Sequence, residues 1–282
     1  MIFAGNPAVV GHRGFGAGEP GGYLENTLAS YQAAADHGLT WIELDVQRSR
    51  DGQLVVRHDP VTPGGVLVVS CTAAELAAAG ILGFAEVMAA LPPGMAVNVD
   101  VKTIIEDAAD PADQCTGPLV AAALRELAGS RPLLVTSFDP AVLVYLREQA
   151  LPGVPLGLIT AQGYPARHAL PAARGLGMTA VSMNAAAFGL QRDVPRAVDR
   201  EPAELIERAH QAGLEVLAWC PGPQDAARLA AAGIDALCVN DVPGVLAALA
   251  PEPPAALTPE PAAGPATPPA GSRSRLLRPG RS

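Results

Sequence analysis

The sequence predicts an α/β fold of the (β/α)8 TIM-barrel type, with a small insertion after the second core strand and a disordered Pro/Ala-rich C-terminal tail. Three observations predict it. About eight short apolar runs alternate with helix-like stretches over residues 8–249, the rhythm of a parallel barrel. A length of 282 residues suits one such barrel. Histidines also follow directly on apolar runs, where a barrel keeps its chemistry at the C-terminal ends of strands.

Taken in order, Val9-Val10 leads the first strand, and Asn26-Thr27 caps a helix running to about His37, where Gly38 stops it. Trp41–Val46 is the second core strand, and Leu54–Arg57 a shorter one after the turn Asp51-Gly52. Residues 60–95 interrupt the rhythm with turn residues, Val66–Val69 and an Ala-rich stretch, and are expected to form a small cap. Ala96–Val101 is the next strand, followed by a helix near Leu119–Ala128, a strand at Leu133–Thr136 and a helix after Asp139-Pro140. Leu156–Ile159, Ala180–Met183, Glu215–Trp219 and Ala236–Val239 read as later strands, with helices near Ala203–Ala212, Gln224–Ala232 and Gly244–Leu249. The expected organisation is a barrel domain over residues 1–250 and a tail over 251–282, whose Pro, Ala, Thr and Gly cannot bury enough surface to offset ordering.

Composition narrows the function classes. A net charge of −9 argues against a nucleic-acid binder, although the tail alone carries +2 and its basic end, residues 273–281, offers weak contact with an anionic surface. No apolar run reaches the ~20 residues of a membrane span, and the start lacks the basic n-region of a signal peptide, so a cytoplasmic location is expected. Cys71, Cys115, Cys220 and Cys238 have no zinc-ligand spacing and are expected to be free thiols, Cys71 with Cys115 being the one pairing to test. Of 19 basic residues only Lys102 is lysine, which points to a site that needs a compact point charge instead of a planar fork.

Two strands carry carboxylates in alternation with aliphatics. In Ile42-Glu43-Leu44-Asp45-Val46 the acids share a face roughly 6–7 Å apart, and in Val97-Asn98-Val99-Asp100-Val101-Lys102 the polar residues face one way and three valines the other. A parallel barrel strand is normally apolar on both faces, so inward acids must be paired, metal-bound or near the mouth. A half-exposed antiparallel strand is the other reading of either strand alone. Glu43, Asp45 and Asp100 together make a hard-oxygen site for Mg²⁺ or Ca²⁺, with Mn²⁺ also compatible. His12 and His58 each end a strand, and a histidine pair beside a metal-bound phosphate can act as general base and acid. His37, His168 and His210 have no such partners in the sequence. Gly16-Ala17-Gly18-Glu19-Pro20-Gly21 matches GxGxxG, but Pro20 lies inside it and the helix begins too late for a dinucleotide site. These glycines are instead expected to let the loop lie close over a phosphate.

His12-Arg13-Gly14, Glu25-Asn26-Thr27, Glu43-x-Asp45, Asp51-Gly52, His58-Asp59 and Asp100-x-Lys102, with weaker echoes in Ser137-Phe138-Asp139, Trp219 and Asp241-x-Pro243, resemble the glycerophosphodiester phosphodiesterases over residues 8–249. The resemblance implies one divalent cation on Glu43, Asp45 and Asp100, acid–base work by His12 and His58, and phosphate contacts from Arg13 and Lys102. It implies hydrolysis of a small glycerophosphodiester to sn-glycerol 3-phosphate and an alcohol. Asp100 stands where most family members have Glu, and Cys220 and Asn240 stand where threonines are usual. Phospholipase D-like cleavage of lysophospholipids, with Asp at that position and a cyclic phosphate product, is the alternative. A catalytically silent binding protein is the third reading.

Overall fold

A computed structural model describes residues 1–3, 7–190 and 201–251. Its first strand, β1 (Ala8–Gly11), is followed by helix α1 (Leu28–Asp36), strand β2 (Trp41–Arg48) and the short strand β3 (Leu54–Val56). Helices α2 (Ala73–Ala78) and α3 (Phe84–Ala90) precede β4 (Ala96–Val101). Then come α4 (Thr116–Leu127), β5 (Leu133–Ser137), α5 (Pro140–Glu148), β6 (Leu156–Ile159), α6 (Ala166–Gly175) and β7 (Ala180–Asn184). Helix α7 (Pro202–Gln211), β8 (Glu215–Trp219), α8 (Pro223–Ala231), β9 (Ala236–Val239) and α9 (Val242–Leu249) complete the order.

Eight of these strands run parallel in the order β1-β9-β8-β7-β6-β5-β4-β2, and the pairing of β1 with β2 (Val10 opposite Trp41) closes the barrel. The antiparallel reading of the acidic strands is therefore excluded for β2 and β4, which pair in parallel along Trp41–Val46 and Ala96–Val101. Only β3 is antiparallel, folded back on the end of β2. No helix among the described residues is long and apolar enough to cross a membrane.

Local chemistry accounts for the element ends. Thr27 accepts from Ser30 N at the start of α1, and Asp139 caps α5 by accepting from Ala141 N at 2.7 Å, each satisfying an amide that the helix leaves free. Thr72 and Glu75 form a reciprocal capping box on α2. The predicted cap contains α2 and α3, and Val55, Val68, Leu76 and Ile81 give it a small core of its own. The sequence reading did not foresee α6. Pro171 lies inside it and removes one helix hydrogen bond, yet buried Ala169, Leu170 and Ala173 hold the segment against the barrel. Tertiary packing overrides the breaker. The predicted tail and its basic end lie outside the described residues.

Strand parity then positions the site. Side chains at every second residue point into the barrel, and at its N-terminal end these are apolar: Val10, Trp41, Ala96, Leu134, Ala180, Leu217 and Ala236 pack together with Phe3. Two residues further along β2, β4, β5 and β7 the same face turns polar, with Glu43, Asn98, Thr136 and Ser182. The helices cover the opposite faces in one continuous core.

Candidate functional site

The polar end of the barrel opens into a pocket of about 160 Å³, lined among others by His12, Arg13, Glu43, His58, Asp100 and Lys102. Asp45 does not line it and is fully buried beside it, paired in register with Asp100, which does. All seven residues singled out from the sequence thus converge on one place. Direct register pairing of Asp45 with Asp100, and of Glu43 with Asn98, brings the acids of the two strands together. Oxygens of Glu43, Asp45 and Asp100 lie within 4.8 Å of one another.

Each carboxylate is held by named partners. Arg13 N–H donates to Glu43 Oε2 at 2.8 Å, and Asn26 Nδ2 donates to Asp45 Oδ2 at 3.1 Å. Tyr31 OH in turn donates to Asn26 Oδ1 at 2.9 Å, so the start of α1 anchors the end of β2. The Arg13 guanidinium bonds both oxygens of Glu25, at 2.9 and 3.0 Å, and lies 3.3 Å from Asp45 Oδ2. Lys102 Nζ donates to Asp100 Oδ2 and lies 3.1 Å from Asp45 Oδ1. The two cations that were expected to meet a phosphate are therefore also embedded among acids. Arg13, Asn26 and Cys220 adopt left-handed backbone (φ 54, 55 and 56°), a strained conformation for such residues that recurs where function over-determines geometry.

Electrostatics set the carboxyls apart. Burial, then Asp45 and Asp100, hold the Glu43 carboxyl well above the usual carboxylate range. Burial also pushes Asp45 up, but Lys102 and Arg13 outweigh it and leave that group low. Burial raises Asp100, with Lys102 opposing.

The donor set fits a hard divalent cation. Asp100 Oδ1 is buried and accepts no hydrogen bond, a costly state for a carboxylate oxygen unless something else meets it, and Asp45 Oδ1 beside it has only the Lys102 ammonium, at 3.1 Å. Four carboxylates (Glu25, Glu43, Asp45, Asp100) against Arg13 and Lys102 leave two negative charges, which is the charge one such ion cancels.

His12 and His58 face the same pocket from different loops. Asn240 Oδ1 lies 2.6 Å from His12 Nδ1 and also accepts Ala17 N–H at 3.2 Å. That backbone donor identifies the Asn240 atom as oxygen, so the neutral His12 imidazole carries its proton on Nδ1 and its lone pair on Nε2. Burial lowers the His12 pKa, but the contacts with Cys220 and Asn240 outweigh it and leave the imidazole raised. His58 Nδ1 lies 2.8 Å from Asp59 Oδ1, and its side chain is 37% exposed.

Three contributors were missed from the sequence. Gln47 Nε2 reaches the carbonyls of Arg57, His58 and Asp59 at 2.8, 3.1 and 2.8 Å, which sets the His58 loop on the end of β2. Its signal was present, since Gln47 continues the Glu43, Asp45 alternation. Asn240 and Cys220 had no local signal toward His12. Gly16, from the GxGxxG decoy, has a structural role: a Cβ there would stand 2.1 Å from Asn240 O, so only glycine lets the loop pass.

The fold and site define a class: a TIM barrel whose C-terminal mouth holds a cation-ready carboxylate cluster between two histidines. The chain belongs to the glycerophosphoryl diester phosphodiesterase family, whose sequence model matches residues 12–243. A probable glycerophosphodiester phosphodiesterase 1 of Mycobacterium tuberculosis is 42% identical over 79 residues, 27% of each chain, so the match spans well under two thirds of that relative. A glycerophosphocholine phosphodiesterase of Schizosaccharomyces pombe is 48% identical over 56 residues, 18% of this chain and 5% of that one. Among solved structures, a putative glycerophosphodiester phosphodiesterase from Galdieria sulphuraria matches with a TM-score of 0.71 at 21% identity, over 88% of this chain and 98% of its own. An Oleispira antarctica phosphodiesterase in complex with the product sn-glycerol-3-phosphate matches at 0.67 and 24% identity, over 86% and 96%. At these identities the structures speak for the barrel fold.

Proposed function

We propose that this chain hydrolyses glycerophosphodiesters to sn-glycerol 3-phosphate and an alcohol, with a divalent cation on Glu43, Asp45 and Asp100. The observation that carries the reading is the His12 tautomer. Nε2, 3.9 Å from Glu43 Oε2, keeps its lone pair beside the carboxylate cluster, the arrangement a general base requires. His12 takes the proton from the attacking water, or from a glycerol hydroxyl in a first step whose cyclic phosphate a water then opens. His58, on a separate loop and steadied by Asp59, gives a proton to the departing alcohol. Lys102 and Arg13 hold non-bridging phosphate oxygens and counter the charge that develops on phosphorus. When bound, the cation supplies Lewis-acid polarisation of the same phosphate. Phe138 and Trp219, edge to face at 6.4 Å, form an apolar wall for the alcohol side. The relatives' names, for a glycerophosphodiester phosphodiesterase and a glycerophosphocholine phosphodiesterase, support the substrate class.

The test is a release assay on glycerophosphocholine with Mg²⁺, Ca²⁺ or Mn²⁺, reading sn-glycerol 3-phosphate, with lysophosphatidylcholine in parallel. Metal-dependent release from glycerophosphocholine is expected. Turnover of lysophosphatidylcholine alone, with a cyclic phosphate product, would replace hydrolysis by the phospholipase D-like reaction. No turnover of either with any ion would remove the enzymatic reading.

A further inference from the structure

Glu43 belongs to two triads of ligand atoms. One is the all-oxygen set with Asp45 and Asp100. The other joins it to His12 and Cys238, again with one ligand atom from each residue within 4.8 Å of the others. All three residues line the pocket, and the Cys238 side chain is buried there at 3% exposure. We propose that this second triad is an alternative site, sharing Glu43 with the first, for a thiophilic divalent ion of the zinc class, and that occupancy shuts the enzyme down.

Three arguments converge. The first is donor chemistry: one sulfur, one imidazole nitrogen and one carboxylate select zinc-class ions, whereas the neighbouring oxygen set suits hard ions. The two triads therefore sort cations by softness a few ångströms apart. The second is spacing. Ligand atoms around a tetrahedral Zn²⁺ stand about 3.3–3.6 Å apart, given bond lengths of roughly 2.0–2.3 Å, so small side-chain shifts close the set around an ion. The third is orientation. Metal-bound histidines donate their other N–H to a neighbouring acceptor, and Asn240 Oδ1 already receives His12 Nδ1–H, which leaves Nε2 free to ligate. A second thiol, Cys220, lies 3.7 Å from His12 Nδ1 and accepts from Asn240 Nδ2 at 3.5 Å, so it belongs to the support of His12 and not to the triad.

The consequence for turnover rests on His12 moving the proton; the binding does not. An ion on Nε2 occupies the lone pair that accepts that proton, so soft metals inhibit where hard metals support activity.

The deciding experiment uses the full chain, chelator-treated and reduced, titrated with Co²⁺ as the spectroscopic stand-in for Zn²⁺. A thiolate-to-cobalt charge-transfer band is expected, bleached by one equivalent of Zn²⁺. Cys238→Ala or Cys238→Val should abolish the band and weaken Co²⁺ binding roughly tenfold or more, and Cys71→Ala should change neither. Absence of the band in the unmodified chain overturns the site whatever the variants do. A band that survives in folded Cys238→Val, or disappears instead in Cys220→Ala, overturns the ligand assignment. Inhibition of Mg²⁺-supported glycerophosphocholine turnover by one equivalent of Zn²⁺ should be relieved in Cys238→Val, and equal inhibition in both chains overturns the regulatory consequence. If the chain turns over no glycerophosphodiester, the cobalt spectrum still decides the site, so the two failures are distinguishable.

Discussion

Lys102 Nζ, just past the end of β4, stands 3.1 Å from Asp45 Oδ1 on β2, and it bonds Asp100 on β4 as well. The same ammonium lies 5.4 Å from the centre of the Phe138 ring. The one lysine in the chain is therefore wedged between two buried acids, and acids and burial make replacement by a larger cation difficult.

Lys102→Arg is expected to lower kcat/KM by roughly tenfold or more while the fold persists, because a planar fork does not fit a point-charge position. Arg125→Lys is the control, since Arg125 is exposed and bonds Gln149 at 2.6 Å on the surface. Steady-state kinetics of both variants check it. Equal and mild effects would make the lysine an accident of composition.

Removing the divalent cation with chelator should abolish turnover, and Mg²⁺, Ca²⁺ or Mn²⁺ should restore it. Glu43→Gln and Asp45→Asn should lose that response without unfolding. In the chelated protein the Glu43 carboxyl is raised, so its contribution to stability is complete below its unfolded value and is lost as pH climbs through the folded one. Glu43→Gln cannot ionise. Its melting temperature relative to the unmodified chain should therefore rise with pH above the ordinary carboxylate range, and a flat difference across the scan would contradict the burial argument.

His12→Ala and His58→Ala should each cost on the order of 10²–10⁴-fold in kcat. The other three histidines are accounted for structurally, His168 by its ring contact with Tyr164 at 6.2 Å. His37 packs on Phe15 with ring centres 4.6 Å apart, and His210 lies 2.7 Å from Asp235, which accepts Val216 N–H. Alanine at 37, 168 or 210 should leave kcat near that of the unmodified chain. A larger loss at any of these three than at His12 or His58 would move the site.

Gln47→Leu removes the clamp on three carbonyls of the His58 loop. A destabilisation of about 1–3 kcal/mol is expected from the unmet carbonyls. Because the effect on turnover passes through His58, Gln47→Leu added to His58→Ala should lower kcat little beyond His58→Ala alone. Additive losses in that double-mutant cycle would separate Gln47 from His58.

Arg48, buried at the end of β2, bonds Asp107 at 2.8 Å and also Asp110, holding the segment after Lys102. Arg48→Met should lower stability by about 2 kcal/mol, since it leaves two carboxylates without their cation. Urea unfolding with an unchanged m-value is the check.

Much of this was written in short-range pattern. The period-two alternation on β2 and β4 determined that Glu43, Asp45, Asp100 and Lys102 share faces, because a strand's side chains have no other choice. The capping residues Thr27 and Asp139 marked the starts of α1 and α5, whereas parallel pairing and not the alternation excluded a half-exposed strand. Pro171 concealed α6, because a local breaker says nothing of the burial that outweighs it. Only barrel closure decided the rest. Asn240 meets His12 across 228 residues of chain, because β9 closes on β1, and no spacing rule reaches that far. The same closure sets Cys238 beside Glu43 and His12, so the softer triad exists in the folded barrel alone. Residue types determined which chemistry was available to the chain; the circular order of the strands decided which of those groups share an ion or a proton.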